Sequence, residues 1–192
     1  ACEIVQSLVT RVTRRVDAFD PVVLTCGQIV AGTTNNVIPE SVEMIGTLRS
    51  TSEKARAVAH EGIRRVATNI AAAHLCEATV SIGRGYPVTI NDAGFVAFVR
   101  GVTTDLVGAD RFVNLRAPLM GAEDFSYVLQ RMPGCLLFLG VRPEGSDGHA
   151  HVPSCHSNHM VMNEEPMAVG IAMHAAVAYR FLEEGLSAQA HN

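Results

Sequence analysis

The chain has 192 residues and a mass of 20.5 kDa, enough for one medium domain or two small ones, each with its own core. Hydrophobic residues make up 48% of it and charged residues 18%, which is typical of a packed globular protein and excludes a disordered one. The net charge of −4 argues against a nucleic acid held by a broad basic face, so we expect no nucleic-acid partner. The sequence has no glycine-rich phosphate loop and no Gly-x-Ser-x-Gly elbow, which disfavours nucleotide-dependent enzymes and serine hydrolases.

The sequence predicts neither a membrane span nor a disulfide framework. Its longest uncharged runs are interrupted by polar residues or are too short to cross a bilayer, and nothing at its start resembles a signal peptide. The cysteines are odd in number, widely spaced and without a Cys-x-x-Cys pair, so we expect a reducing, cytoplasmic location with thiols that are buried or near ligands. The cysteines are Cys2, Cys26, Cys76, Cys135 and Cys155.

The first part of the chain predicts the order helix, strand, strand, helix, strand, because apolar residues recur at helical spacing in some stretches and in alternation in others. This order matches a ferredoxin-like split βαβ unit without its first strand. An unpaired sheet edge is a liability, so we expect the missing strand to lie just before the first residue of this sequence. The predicted elements are a helix over 3–16, strands over 22–30 and 42–49, a helix from a capping box of Ser50 and Glu53 to about Leu75, and a strand over 77–82.

A second domain of the α/β class is predicted from about residue 91 onward. Residues 135–139 form a continuous apolar run, which is typical of a strand buried on both faces. A final helix is expected to begin at Asn163 and to carry apolar residues at helical spacing, namely Met167, Ile171, Ala175, Ala178 and Leu182. The other predicted elements are a helix over 95–106 closed by Gly108, a short strand over 111–115 and a short helix over 125–130.

The richest group of possible metal ligands lies in the polar loop that follows the predicted strand at 135–139. Imidazole and thiolate groups are the usual nitrogen and sulfur ligands of zinc, and sites in α/β folds commonly follow a buried strand. No helical His-x3-His pair or paired Cys-x-x-Cys fixes a geometry, so a solvated histidine-rich loop is the alternative interpretation. The group comprises His149, His151, Cys155, His156 and His159.

Two carboxylates, Glu123 and Asp124, stand directly before the predicted helix over 125–130. They could bind a metal or act as acid and base. A carboxylate at the start of a helix also caps its free amides and complements its dipole. From the residues alone we favour the helix cap.

Asn36 and Arg49 are a candidate clamp for a carboxylate, because an amide and a guanidinium both donate hydrogen bonds to carboxylate oxygens. Asn36 falls in the predicted loop and Arg49 at the end of a predicted strand. A strand rises about 3.3 Å per residue, so the two side chains converge only if residues 36–41 fold back beside the strand. A turn asparagine and a solvated arginine are the alternative.

At these residues the sequence resembles the M20 metallopeptidases, specifically the amidohydrolase branch that contains hippurate, N-acyl-amino-acid and indole-acetyl-amino-acid hydrolases. Matching stretches recur in the family's order across nearly the whole chain, and together they are specific although each alone is weak. They are Gly32–Pro39, Gly46–Ser50, Gly121–Ser126, Pro133-Gly134 with Leu139-Gly140, and Cys155–Ser157 followed by Asn163-Glu164.

The resemblance implies an α/β architecture in two parts. Residues 1–90 would form a ferredoxin-like lid that lacks its first strand and makes a homodimer. Residues 91–192 would form the C-terminal part of a zinc-peptidase-like catalytic domain that binds two divalent ions, with zinc, manganese, cobalt and nickel all suited to such ligands.

The resemblance also implies roles for individual residues. His156 matches the family's C-terminal metal-ligand histidine. Asn36 and Arg49 match lid residues that hold the substrate's carboxylate or the tetrahedral intermediate and reach into the partner subunit's site. Glu123 matches a segment that lines the pocket through its backbone. No catalytic residue is expected in this chain, because the family's Glu-Glu pair and its other metal ligands would lie upstream.

The implied activity is hydrolysis of the amide bond of an N-acyl amino acid or a similar small carboxylate, by an amidohydrolase or carboxypeptidase of which this chain is a part. Two metal ions would activate a water and polarise the carbonyl. The chain alone should then be inactive. The alternative is a non-catalytic, truncated module that acts in dimerisation or binds a small ligand.

Overall fold

The computed structural model describes residues 1–143, 145–146, 152–153 and 155–186. They form two compact units, the first from residues 1–89 and 116–127 and the second from 90–115 together with the described residues beyond 127. The helices are α1 (Cys2–Ser7), α2 (Glu53–Ala73), α3 (Ala93–Val107), α4 (Ser126–Leu129) and α5 (Pro166–Glu184), and the strands are β1 (Val22–Ala31) and β2 (Val42–Ser50).

The first unit contains an antiparallel hairpin of β1 and β2, which confirms both predicted strands. Its register pairs Val22 with Ser50 at one end and Ala31 with Val42 at the other. Gly27 is the unpaired residue of a β-bulge, because Cys26 pairs with Gly46 and Gln28 with Ile45. Two clusters of buried side chains form where the hairpin and α2 pack against the helical residues 2–15. One is centred on Val12, Val22, Ala55 and Ala59 and the other on Ile4, Ala67 and Ala71.

Helix α2 begins one residue after the hydroxyl that caps it, but the predicted cap was wrong. Ser52 is the N-cap, since its Oγ accepts a hydrogen bond of 2.9 Å from the amide of Ala55. Ser50 instead closes strand β2, where its backbone pairs with Val22. The predicted extent of the helix is otherwise confirmed, because α2 ends at Ala73.

The helix predicted over 3–16 forms as three successive helical types. After α1, residues Leu8–Val12 form a π-helical turn and Thr13–Arg15 a 3-10 turn. Hydroxyl groups compete with the amides here: Thr10 donates to the carbonyl of Gln6 and Thr13 to that of Val9, each at 2.8 Å. Such back-bonding to the preceding turn distorts a helix, and it accounts for the departure from a regular α-helix.

The strand predicted over 77–82 is absent, although its alternation is correct. Ala78 and Val80 are half-buried and pack on the core of the first unit, whereas Thr79 between them is exposed, as are Glu77 and Ser81 on either side. A strand needs a hydrogen-bonding neighbour, and the sheet of the described residues has only β1 and β2. The segment is therefore extended and unpaired.

The second unit packs α3 against α5. Its core is Phe98, Val99 and Val102, which lie against half-buried residues that include Met173 and Val177 of α5. An ion pair of 2.7 Å between Arg180 and Asp105 also joins the two helices. None of the helices within the described ranges has the length and apolar character that a bilayer crossing requires.

Two predicted strands of the second unit are not formed. Residues 111–115 contain only the end of a 3-10 turn, Ala109–Arg111, and are otherwise irregular. Residues 135–139 are also unpaired, and Phe138 is 63% exposed. The Asn91 side chain substitutes for a neighbouring strand at one position only, where it exchanges two hydrogen bonds with the backbone of Leu136. Residues 135–139 thus have the composition of a strand buried on both faces, but the described residues do not cover both faces.

Candidate functional site

Arg49 lies next to the end of β2, opposite Val23, and its side chain is exposed. Its Nη1 donates a hydrogen bond of 2.5 Å to the backbone carbonyl of Met120, which is 71 residues away in sequence. No carboxylate within the described ranges lies close enough to form an ion pair with it. The guanidinium is therefore held by a neutral acceptor, which leaves it further N–H donors for an anionic ligand.

Asn36 lies in the loop at the opposite end of the hairpin. Its Oδ1 accepts a hydrogen bond of 3.2 Å from the hydroxyl of Thr34, and the side chain is exposed. Seven residues separate Val42, where β2 begins, from Arg49, a distance of roughly 23 Å along the strand. Among the described residues the two side chains have different partners, Thr34 for Asn36 and Met120 for Arg49, and no hydrogen bond joins them.

Glu123 and Asp124 are exposed and stand just before α4, but their carboxylates do not cap it. Their backbone carbonyls serve instead: the hydroxyl of the buried Ser126 donates to the carbonyl of Glu123 at 2.6 Å, and the amide of Tyr127 donates to that of Asp124 at 2.9 Å. The cap favoured from the sequence is therefore wrong. Glu123 and Asp124 come three and four residues after Met120, whose carbonyl accepts the hydrogen bond from Arg49.

His156 presents an exposed imidazole from a strained backbone, with φ of 75° in the left-handed region. For a residue other than glycine this conformation costs about 1–2 kcal/mol. Of the other predicted histidines, His159 is exposed and donates its amide to the hydroxyl of Ser157 at 3.1 Å, while His149 and His151 lie outside the described residues. Such strain at a polar, solvent-facing residue is typical of a functional position.

The described residues do not by themselves form a metal centre. Among them, no three His, Cys, Asp or Glu side chains lie close enough together to hold an ion. A dinuclear centre needs several ligands. His156 therefore remains a predicted ligand, and the described residues do not place further ligands around it.

The thiols were expected to be buried or near ligands; most are exposed, which contradicts the first alternative, and the second stays a prediction. Cys2, Cys76 and Cys155 are exposed, while Cys26 and Cys135 are half-buried. Burial raises the pKa of the Cys135 thiol, and the negative charge of Asp92 raises it further. Cys135 thus stays protonated and is a poor metal ligand at neutral pH.

A comparison with known protein families places the chain. Residues 5–180, most of the sequence, match peptidase family M20/M25/M40. The chain belongs to this family. It is 34% identical over 188 residues to the IAA-amino acid hydrolase ILR1-like 4 of Arabidopsis thaliana, covering 96% of this chain and 42% of that protein. It is 31% identical over 169 residues to thermostable carboxypeptidase 2 of Saccharolobus solfataricus, covering 88% of this chain and 41% of that protein.

Solved structures give the same result. The fold resembles that of the Bacillus subtilis protein YXEP, described as a dinuclear metal-binding peptidase of the M20 family, with a TM-score of 0.75 and 26% identity. That match covers 94% of this chain and 46% of the Bacillus chain. The chain thus spans less than half the length of the relatives and of the structure that it matches.

Proposed function

We propose that the chain is part of a divalent-metal amidohydrolase that cleaves the amide bond of an N-acyl amino acid or a similar small carboxylate. The observation that carries the proposal is the exposed Arg49 guanidinium, held by the Met120 carbonyl without an acidic partner in the described part of the chain. An amino-acid conjugate and a peptide C-terminus, to which the names of the two relatives refer, both present a carboxylate that such a guanidinium binds.

The metal would be held in part by His156. Bound divalent ions polarise a scissile carbonyl and lower the pKa of water, which are the two requirements of amide hydrolysis. One imidazole does not complete a site for two ions, so the general base and the other ligands would come from a further part of a longer chain. Glu123 would contribute to the substrate pocket through its backbone, which already holds α4 in place.

The two parts of the chain would then be a lid, residues 1–90, and the C-terminal part of the catalytic domain, residues 91–192, of which residues 116–127 pack with the first compact unit. The exposed apolar side chains of the second part support this assignment. On α5, Ile171 is 71% and Leu182 84% exposed, on a different side of the helix from the one that packs on α3. A further part of the catalytic domain would cover this surface and residues 135–139.

The separation of Asn36 from Arg49 supports a homodimer through the lid. The resemblance implies that both residues reach into the partner subunit's site; because they lie toward opposite ends of β2, we propose instead that Asn36 acts in the partner's site while Arg49 serves its own. Each site would then be complete only in the dimer.

The test is an assay of the full-length protein on N-acyl amino acids with and without a chelator. We expect hydrolysis that is lost on chelation and restored by divalent metal. Arg49→Ala should lower kcat/KM by one to three orders of magnitude, at about 1.4 kcal/mol per decade, because the carboxylate loses its charged partner. Arg65→Ala, which removes an exposed arginine of α2, is the matched control and should change nothing. Absence of metal-dependent hydrolysis would favour the non-catalytic module instead, and wild-type kinetics in Arg49→Ala would remove Arg49 from the site.

A further inference from the structure

Residues 116–127 belong to the first unit although they follow α3 in sequence. Met120 lies in this 116–127 segment, and its carbonyl oxygen is the acceptor that Arg49 Nη1 contacts at 2.5 Å. Within the described ranges the Arg49 side chain makes no other hydrogen bond. The direction in which the guanidinium points therefore depends on where the 116–127 segment lies.

The far end of the 116–127 segment is fixed by Tyr127. Its hydroxyl donates to the carbonyl of Gly85 at 3.4 Å, and its ring meets that of Tyr86 edge to face, with centroids 6.0 Å apart. The carbonyl of Tyr86 in turn accepts a hydrogen bond of 2.5 Å from Arg56 of α2. These contacts tie the segment to the long helix of the first unit, so a chain of direct contacts runs from α2 to the segment that carries the Met120 carbonyl.

The chemistry of the guanidinium explains why this contact matters. An arginine has five N–H donors in a planar fork, and a carboxylate takes two parallel donors on one edge. With Nη1 committed to Met120, the edge formed by Nε and Nη2 stays open to a carboxylate. An exposed arginine otherwise samples many rotamers, and ordering it in advance removes that cost from binding.

We propose that the Met120 carbonyl is a positioning group for Arg49, and that Tyr127 sets its place by fixing the 116–127 segment to Gly85 and Tyr86. The Nε–Nη2 edge then takes the carboxylate of the substrate side-on. This inference rests on the proposed function, because it specifies how the same arginine is prepared for its ligand. Tyr127 touches neither the substrate nor the reacting atoms.

The first experiment is a double-mutant cycle in the full-length protein with an N-acyl amino acid and its carboxamide analogue, which lacks the negative charge. Tyr127→Ala should raise KM for the acid about three- to tenfold and leave KM for the carboxamide unchanged, because only the acid uses Arg49. The same substitution in an Arg49→Ala background should have no further effect. Tyr127→Phe, which removes only the hydroxyl, should give a smaller effect in the same direction, and Phe19→Ala, at an exposed aromatic residue of the same unit, should give none. Equal effects on both substrates, or effects that add in the cycle, would overturn the proposal.

A second measurement does not need activity. In protein labelled with 15N-arginine and free of substrate, rotation about the Cζ–Nη bonds of Arg49 should be slow in the wild type and faster in Tyr127→Ala, while the Arg65 signals stay the same. An Arg49 signal that Tyr127→Ala leaves unchanged would overturn the positioning role. If the wild type shows no metal-dependent hydrolysis, the proposed function fails, and this measurement alone then decides the role of Met120 and Tyr127.

Discussion

The carbonyl of Ala71 accepts a hydrogen bond of 2.9 Å from the amide of Cys76, across the end of helix α2. A second bond of 3.0 Å runs from the amide of Leu75 to the carbonyl of Ala72. Together they form a Schellman motif, in which the residue after the helix cap adopts the left-handed conformation. Glycine is the usual residue there, but this chain has Leu75, with φ of 57° and a side chain that is 98% exposed.

Leu75→Gly should therefore stabilise the protein. A left-handed conformation strains a side chain with a Cβ, and Leu75 gains almost no burial in return, so we expect a gain of roughly 0.5–1 kcal/mol in the free energy of unfolding. Urea denaturation would show a higher midpoint at an unchanged slope. Ala72→Gly, at an exposed position inside the last turn, is the control and should lower the free energy of unfolding by about 1 kcal/mol. A midpoint for Leu75→Gly at or below that of the wild type would contradict the strain.

Gly46 and Gly27 lie close together in the hairpin and should respond in opposite ways to the same substitution. A Cβ on Gly46 would lie 2.6 Å from the backbone carbonyl of Thr25, so the two strands must move apart. A Cβ on Gly27, the bulge residue, would have no atom within 4 Å. Gly46→Ala should cost about 1–3 kcal/mol of stability, as other overpacked sites do, and Gly27→Ala should cost little. Thermal unfolding of both variants provides the measurement, and equal losses would contradict this difference.

Those parts of the fold that depend on local contacts could be predicted from the sequence. The hairpin, the long helix α2 and the helix closed by Gly108 were all predicted, because alternation and helical periodicity report which residues face a nearby core. Strands were also predicted over 77–82 and 135–139, but the structure does not form them, because a hydrophobic pattern alone does not make a strand. Strand formation requires a neighbour, and neither segment has one within the described part of the chain.

The candidate site divides in the same way. Residue type and motif predict Arg49 and His156 as site residues, but they give no sign of the hydrogen bond between Arg49 and Met120. It uses a backbone carbonyl, which Met120 shares with every other residue, so no side-chain signal marks it. Strand rise shows that Asn36 and Arg49 converge only if residues 36–41 fold back beside β2, and the sequence carries no signal that decides how this loop folds.

Asp20 should make the stability of the protein sensitive to acid. Hydrogen bonds that its carboxylate accepts from the hydroxyls of Ser52 and then Thr51, at 2.5 and 2.8 Å, lower its pKa below the ordinary value. A lowered pKa in the folded state means that the ionised carboxylate stabilises the fold above the ordinary value, and that this contribution is lost as the pH falls through the folded pKa.

Asp20→Asn removes this titration. Its melting temperature should lie below that of the wild type at pH 6, and the difference should shrink as the pH falls below the ordinary range of an aspartate. Asp124→Asn, at an exposed carboxylate, is the control and should have the melting temperature of the wild type at pH 6. A difference between wild type and Asp20→Asn that stays constant from pH 6 to pH 3 would show that the hydroxyl contacts do not depend on the charge.

His156 provides the last prediction, which concerns the metal content of the full-length protein. His156→Ala should lose one divalent ion per subunit in elemental analysis, because the imidazole is the single metal ligand that we assign to this chain. Alanine is unfavourable in the left-handed conformation of residue 156, so His156→Ala could lose the metal by changing the backbone. His156→Asn separates the two causes, because asparagine tolerates that conformation and is a poor ligand for zinc. His159→Ala should retain both ions. Full metal content in His156→Asn would assign the ligand to another residue and would leave the strain at His156 to be explained by packing alone.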